Sequence, residues 1–261
     1  YKVTGVQTCA LPIFCQILAH IHDKILHFFF LAAPDFVFDG EVDLSVRNIM
    51  GLVRREPELA SRVVRMRQLA QQMLARFAGK AIHPVAAVVG GFSMVMLAEE
   101  RQTLLADAQD LLDFASFALD FAKERVFGQL VEGGLAGLGT ITTGFLGTVD
   151  AQGRMRLYDG QLRLMQPDGA FVDFAAQDYE QFLAEHVEPW SSAKMVYAKC
   201  WGEGFSLNPT QPSGVYRVNT LARLNVCETL ATPRAQAELE EFRSHFGRPA
   251  QATLLYHWAR L

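Results

Sequence analysis

The stretch from His20 to Asp35, HIHDKILHFFFLAAPD, restricts the fold more than any other part of the chain. Ile17, Ile21, Ile25 and Phe28 recur at the spacing of one helical face, and His20, Lys24, His27 and Leu31 follow another face at the same spacing. From Phe28 to Ala33 every residue is apolar, so this end of the helix reads as buried. Asp35 follows Pro34 directly. A residue before proline is pushed out of helical geometry, which predicts a helix end near Ala33. Asp35 would then stand at the mouth of an apolar helix end, either as a structural cap or as a polar group serving a buried site.

Most of the remaining pattern is helical. A polar turn at Asp39-Gly40 leads to an expected helix over Leu44–Arg55, and Pro57 suits the first position of another. Leu59, Val63, Met66, Ala70, Met73 and Phe77 form its apolar stripe, and Gly79 ends it. Arg62, Arg65, Arg67 and Arg76 on this helix are a basic patch for an acidic partner or, more plainly, a solvated face. Ile82–Gly91, IHPVAAVVGG, reads as a tight irregular segment. Glu99–Val126 reads as one long helix, on the order of 40 Å at about 1.5 Å per residue, with Leu104, Ala108, Leu111, Ala115, Leu119 and Ala122 repeating along it.

The period changes at Thr140. Turn signals at Asp150–Gly153, Asp159-Gly160 and Pro167–Gly169 separate the alternating runs Met155–Tyr158 and Leu162–Met165, which predicts a small antiparallel meander. Further helices are expected at Asp178–Glu185, at Ala235–Phe246 and from Thr253 onward. The fold class is mainly α (α+β): a long-helix bundle core with a small β meander around 140–174.

Composition sets outer bounds. At 261 residues the chain is one large domain or two small ones. A hydrophobic share of 50% and a charged share of 20% suit a globular core, and a net charge of −4 argues against a general nucleic-acid binder. No apolar run reaches the roughly 18 residues of a membrane span; Val85–Ala98 is broken by Gly90-Gly91 and Ser93. The four cysteines contain no C-x-x-C pair, which points to a reducing compartment and not a disulfide framework. His20 and His22 face different sides of a helix, and His20 and His27 are two turns apart. With no H-x-x-x-H or H-E-x-x-H pair, a hydrolytic zinc site is improbable. G-x-S-x-G, P-loop and Rossmann glycine patterns are absent as well.

Several motifs together carry a family resemblance. His22, Asp23, His27, Phe28 and Asp35 resemble the second signature of [NiFe] hydrogenase large subunits, roughly H-D-H, two hydrophobics, H-F-Y-H-L and then an aspartate. Lys24 and Phe30 replace histidines seen in many members, and Ala33-Pro34-Asp35 is similar to the soluble, multimeric branch. His83-Pro84 followed by Gly90-Gly91 resembles another large-subunit signature. The Tyr158-Asp-Gly160 turn with its later Asp-Gly turn is typical of the same subunits, though an ordinary hairpin insertion accounts for it equally well. His186-Val-Glu-Pro-Trp190, with Lys194 and Tyr197, resembles V-E-P-W-S-x-x-K. Tyr216-Arg-Val218 and Leu221–Asn225 resemble Y-R-V-G-P-L-A-R-x-N, with Asn219-Thr220 in place of Gly-Pro. The resemblance runs from about Cys15 to Leu261.

The resemblance implies reversible splitting of H2 into protons and electrons at a Ni-Fe centre. The electrons would leave through iron–sulfur clusters of a small hydrogenase subunit, and a diaphorase or other electron-acceptor module is a further partner. Asp35 would belong to the canopy over the open metal position, orienting an arginine by a charge-assisted hydrogen bond. His83 would lie near the partner's proximal iron–sulfur cluster. The family's metal ligands are two C-x-x-C pairs, one before His20 in family order and one beyond Leu261. Neither is present, so no metal ligand is assigned. Cys15, Cys200 and Cys227 read as small apolar residues. The Ni-Fe centre is therefore expected in the intact parent, with no cofactor and no activity in this chain alone.

Val3–Ile13, VTGVQTCALPI, resembles the translation of a common sequencing-library adapter. The expected organisation is a non-native leader over 1–13, packing poorly, and an incomplete large-subunit domain over 14–261, truncated at both ends. A cytoplasmic location fits the soluble branch. The quinone-pocket subunit of complex I-like oxidoreductases, which lacks nickel, is an alternative reading. A helical scaffold without chemistry of its own is another.

Overall fold

The structure, a computed structural model, describes residues 5–38, 43–89, 91–134 and 137–261, with only the backbone described for 5–9 and 91. The turn expected at Asp39-Gly40, and Gly90 of the glycine pair, lie outside the described residues. The chain divides into two compact units, residues 1–129 with Leu261 and residues 130–260.

The first unit is helical. Its elements are α1 (Gly5–Ile25), a π-helical segment Leu26–Ala32, α2 (Ala33–Val37), α3 (Ile49–Arg55), α4 (Pro57–Ala78), the short pair β1 (Ala87–Val88) and β2 (Gly91–Phe92), α5 (Ala98–Ala122) and a second π-helical segment, Lys123–Phe127. α6 (Gly128–Val131) follows.

Three expectations change here. The helix does not end near Ala33. The chain widens into the π segment, closed by the Ala33 N–H on the Phe28 carbonyl, and Pro34 then falls in the first turn of α2. A first-turn position has no intrahelical donor to lose, so the proline is tolerated. Second, the expected stripe of α1 holds at Ile25 and Phe28 but not upstream of them. Leu11, Cys15, Leu18 and Ile25 are buried, whereas Ile17 is 39% exposed. Third, the poor packing expected of the leader does not extend to Leu11: the described residues are helical from Gly5 onward, and Leu11 is buried in phase with Cys15 and Leu18.

α4 follows its expected course. Val63, Met66, Ala70, Met73 and Phe77 are buried, and Gly79 closes the helix at φ 82°. An aromatic ladder joins the helices. Phe14 stacks on Phe77 at 5.1 Å, and Phe29 meets Phe28, Phe114 and Phe121 at 5.0, 5.7 and 5.8 Å. α3 begins at Ile49 and not Leu44, because the Asn48 side chain accepts from the Met50 and Gly51 amides and starts the helix there.

The second unit holds the meander. β3 (Gly144–Val149), β4 (Gln161–Met165) and β5 (Phe171–Phe174) pair antiparallel, and β8 (Tyr216–Arg217) adds parallel to β3. Met155–Tyr158, expected as a strand, makes a single bridge from Met155 to Val149, because the turn at Gly153 and the bend at Gly160 take up the chain between β3 and β4. The helix expected at Asp178–Glu185 stops at Phe182. α7 (Tyr179–Phe182) gives way to β6 (Leu183–Val187), which pairs with β7 (Lys194–Ala198). α8 (Asn219–Val226) lies against β3, where a side chain at Gly147 would come within 2.6 Å of Val226. α9 (Pro233–Phe246), capped by Thr232, and α10 (Tyr256–Arg260) complete the unit.

Candidate functional site

The polar residues at the end of α1 and the start of the π segment form a local chain. The Lys24 ammonium donates to Asp23 Oδ2 at 2.9 Å, and His27 Nδ1 lies 2.9 Å from the Asp23 carbonyl and 3.0 Å from its carboxylate. Burial alone would raise the Asp23 carboxyl. The hydrogen bond and charge of Lys24, with His27 and His22 nearby, hold it below its ordinary range instead. His22 is half-buried within reach of the Arg67 and Asp23 charges, and among the described residues its Nδ1 has no hydrogen-bond partner. Burial and then the Arg67 charge push its pKa below 6.5.

The folded state therefore resists protonation of His22 more than the unfolded chain does. As pH falls below about 6.5 the unfolded state takes up the proton first, so stability declines until His22 protonates in the fold as well. Thermal melts at neutral and mildly acidic pH should show this loss in the wild type and a smaller one in His22→Gln. Equal losses would place the titrating group elsewhere.

Asp35 lies in the first turn of α2 and its carboxylate is 56% exposed. Arg47, from the loop before α3, donates Nη2 at 2.9 Å and Nε at 3.3 Å to the same oxygen, Oδ1. His83 is exposed in the loop after α4, at φ 56°, a conformation that histidine adopts more readily than most residues. The Val85 and Ala86 amides fold that loop back onto the Ala78 carbonyl. Among the described residues no hydrogen bond or ion pair links Asp35 to His83. Arg47 was not singled out by sequence, since it fell inside an expected helix. The available signal was Asn48, an N-cap residue immediately before an apolar pair.

The signatures of the second unit have structural work. Glu188-Pro189-Trp190 follows β6 in the β6–β7 connection, with His186 Nε2 2.9 Å from Glu188 and Lys194 2.7 Å from Glu185. Asn219 adopts φ 75°, a left-handed conformation that suits glycine and, next best, asparagine. That explains how Asn stands where the resembled signature has Gly. Asn225 is buried and ties α8 to Ala250 through both its amide nitrogen and its oxygen.

A centre of nickel and iron needs several deprotonated thiolates converging on it. Burial pushes the Cys15 thiol up to about 11 and raises Cys200 and Cys227 as well. Among the described residues no three His, Cys, Asp or Glu side chains are placed to share a metal ion. The described residues do not fit such a centre.

The architecture matches a solved NAD+-reducing [NiFe]-hydrogenase in the H2-reduced state, with a TM-score of 0.85 and 33% identity over 97% of this chain and 55% of that one. The fold is that of the [NiFe] hydrogenase large subunit. The chain's relatives in sequence are hydrogenase subunits. It is 38% identical to a subunit of the F420-non-reducing hydrogenase vhu of Methanocaldococcus jannaschii over 242 residues, 92% of this chain and 55% of the relative. It is 30% identical to the beta subunit of the NAD-reducing hydrogenase HoxS of Cupriavidus necator over 240 residues, 89% of this chain and 47% of the relative. The chain spans about half the length of the curated relatives it matches. No family model matches it. Among the described residues no helix is long and apolar enough to cross a membrane.

Proposed function

We propose that this chain is part of the catalytic large subunit of a soluble, cytoplasmic [NiFe] hydrogenase, whose intact parent oxidises H2 reversibly. The observation that supports the reading is similarity to hydrogenase subunits along 89–92% of the chain. The electrons would pass to a small iron–sulfur subunit, and the NAD-reducing relative supports a diaphorase-type module as a further partner. A Ni-Fe centre in the parent would supply the redox chemistry. Its ligands would come from cysteines outside this chain. From this chain, Asp35 would accept a charge-assisted hydrogen bond from an arginine of the parent, and His83 would face the electron-accepting side. Residues 3–13 remain proposed as adapter-derived.

The complete gene tests the reading directly. It should encode a C-x-x-C pair before His20 and a second pair followed by a histidine downstream of Leu261, beside a gene for a cluster-binding small subunit. In the assembled parent, Asp35→Asn should lower H2 oxidation by roughly 10- to 100-fold, the worth of one hydrogen bond between charged groups, with assembly and nickel content unchanged. His83→Ala should slow electron exit more than H2 binding. Flanks without paired cysteines would overturn the reading.

A further inference from the structure

Arg47 is presented to Asp35 by a loop that is fixed without it. Ser45 N–H donates to Asp43 Oδ1, Val46 N–H to the Asp43 carbonyl and Asn48 N–H to the Val46 carbonyl. The Asn48 side chain donates to the Ser45 carbonyl at 2.6 Å while its oxygen caps α3. α3 approaches the loop so closely that only glycine fits at position 51; a Cβ there would meet the Val46 carbonyl oxygen. The backbone on both sides of Arg47 is thus held by turn and cap geometry.

The guanidinium then takes one side of the Asp35 carboxylate. Both of its bonds end on Oδ1, and among the described residues Oδ2 accepts none. An ion pair this exposed adds little to stability, so fold energetics give a weak reason to build such a loop for it. Orientation is a stronger one. A carboxylate held by one oxygen keeps a single rotamer and offers the other oxygen in a fixed direction.

We propose that Arg47 is a positioning residue: it occupies Oδ1 of Asp35 and leaves Oδ2 as the acceptor for a second cationic donor, a guanidinium. This rests on the canopy reading of Asp35 given above, and two measurements separate the parts. The first uses the 261-residue chain. The Hα–Hβ couplings of Asp35 by NMR should be unequal in the wild type, as for one side-chain rotamer, and should average in Arg47→Gln. Arg47→Lys, which keeps the charge but not the two-nitrogen hold, should fall between. Averaged couplings in the wild type would overturn the proposal.

The second uses the assembled parent hydrogenase. Arg47→Gln should lower kcat for H2 oxidation by about tenfold with KM for H2 and nickel content unchanged, and Arg47→Lys should recover part of it. Asp35→Asn/Arg47→Gln should be no worse than Asp35→Asn alone, because Arg47 acts only through Asp35. Losses that add would overturn the proposal. Full activity in Arg47→Gln beside a damaged Asp35→Asn would overturn Arg47 alone. Full activity in Asp35→Asn would overturn the canopy reading, and the positioning role with it.

Discussion

Arg163→Ala is expected to destabilise the chain by about 3–5 kcal/mol, the range for removing one partner of a buried ion pair. Arg163 sits in the middle of β4 and is 6% exposed. It forms a two-nitrogen fork on Asp173, its cross-strand partner in β5, at 2.7 and 2.8 Å. Its remaining nitrogen donates to Glu228 at 3.0 Å and to the Val226 carbonyl at 3.2 Å, and its face lies 4.0 Å from the Phe171 ring centroid. Arg248 closes the cluster from the other side, donating to both Glu228 oxygens at 2.7 and 3.1 Å. Arg248 and Arg243 also take the carbonyls at the end of α8, Arg248 those of Asn225 and Val226 and Arg243 that of Cys227, which no intrahelical donor reaches. Truncating Arg163 therefore strands the Asp173 carboxylate, removes one donor each from Glu228 and the Val226 carbonyl, which Arg248 still holds, and unstacks the Phe171 ring.

Arg163→Lys should recover less than half of the loss, because an ammonium cannot reproduce the planar fork. Urea unfolding of the three proteins decides this, and a loss below about 1 kcal/mol would put the cluster in the class of exposed pairs. The same cluster predicts acid sensitivity. The Arg248 hydrogen bond, followed by the charges of Arg248, Arg163 and Arg243, holds the Glu228 carboxyl below 4.5 against the opposing effect of burial. Its contribution is full above that value and is lost as pH falls through the lowered one.

What was legible from sequence depended on range. α4 was fixed by Pro57, its apolar spacing and Gly79, all local signals, and it formed as read. The meander was announced by its glycine turns, although the extra run at Met155–Tyr158 became connection because Gly153 and Gly160 bend the chain there. Pro34 misled because its cost in a helix depends on what precedes it, and a π segment has no sequence signature of its own. The Arg163 cluster was invisible for a different reason. Its members are up to 85 residues apart in sequence, from Arg163 to Arg248, and only the pairing of β4 with β5 and the return of α8 bring them together. Asp35 was singled out by resemblance, but its partner Arg47 was found through the loop that carries it.

That loop leads to the other large effect. Gly51→Ala should destabilise the chain by about 2–3 kcal/mol or more, although the same change in an exposed helix normally helps by up to about 1 kcal/mol. Gly51 lies inside α3, where alanine is the better helix former, so backbone preference favours the substitution. Sterics oppose it. A Cβ at this position would sit 1.8 Å from the Val46 carbonyl oxygen and 3.1 Å from the Phe38 ring. The nearer of these is backbone and cannot rotate away, so either α3 or the loop over 43–48 must shift. A shift of the loop carries Arg47 with it and releases the Asp35 carboxylate. The variant should consequently show both a lower urea midpoint and averaged Asp35 couplings, with faster hydrogen exchange at the Met50 and Gly51 amides that Asn48 caps. A stabilised Gly51→Ala protein would mean that helix preference outweighs the contact and that the loop has room to move. A destabilised one that keeps Asp35 in a single rotamer would mean the strain is absorbed on the α3 side. Only the combined result ties the close approach at Gly51 to the orientation of Asp35.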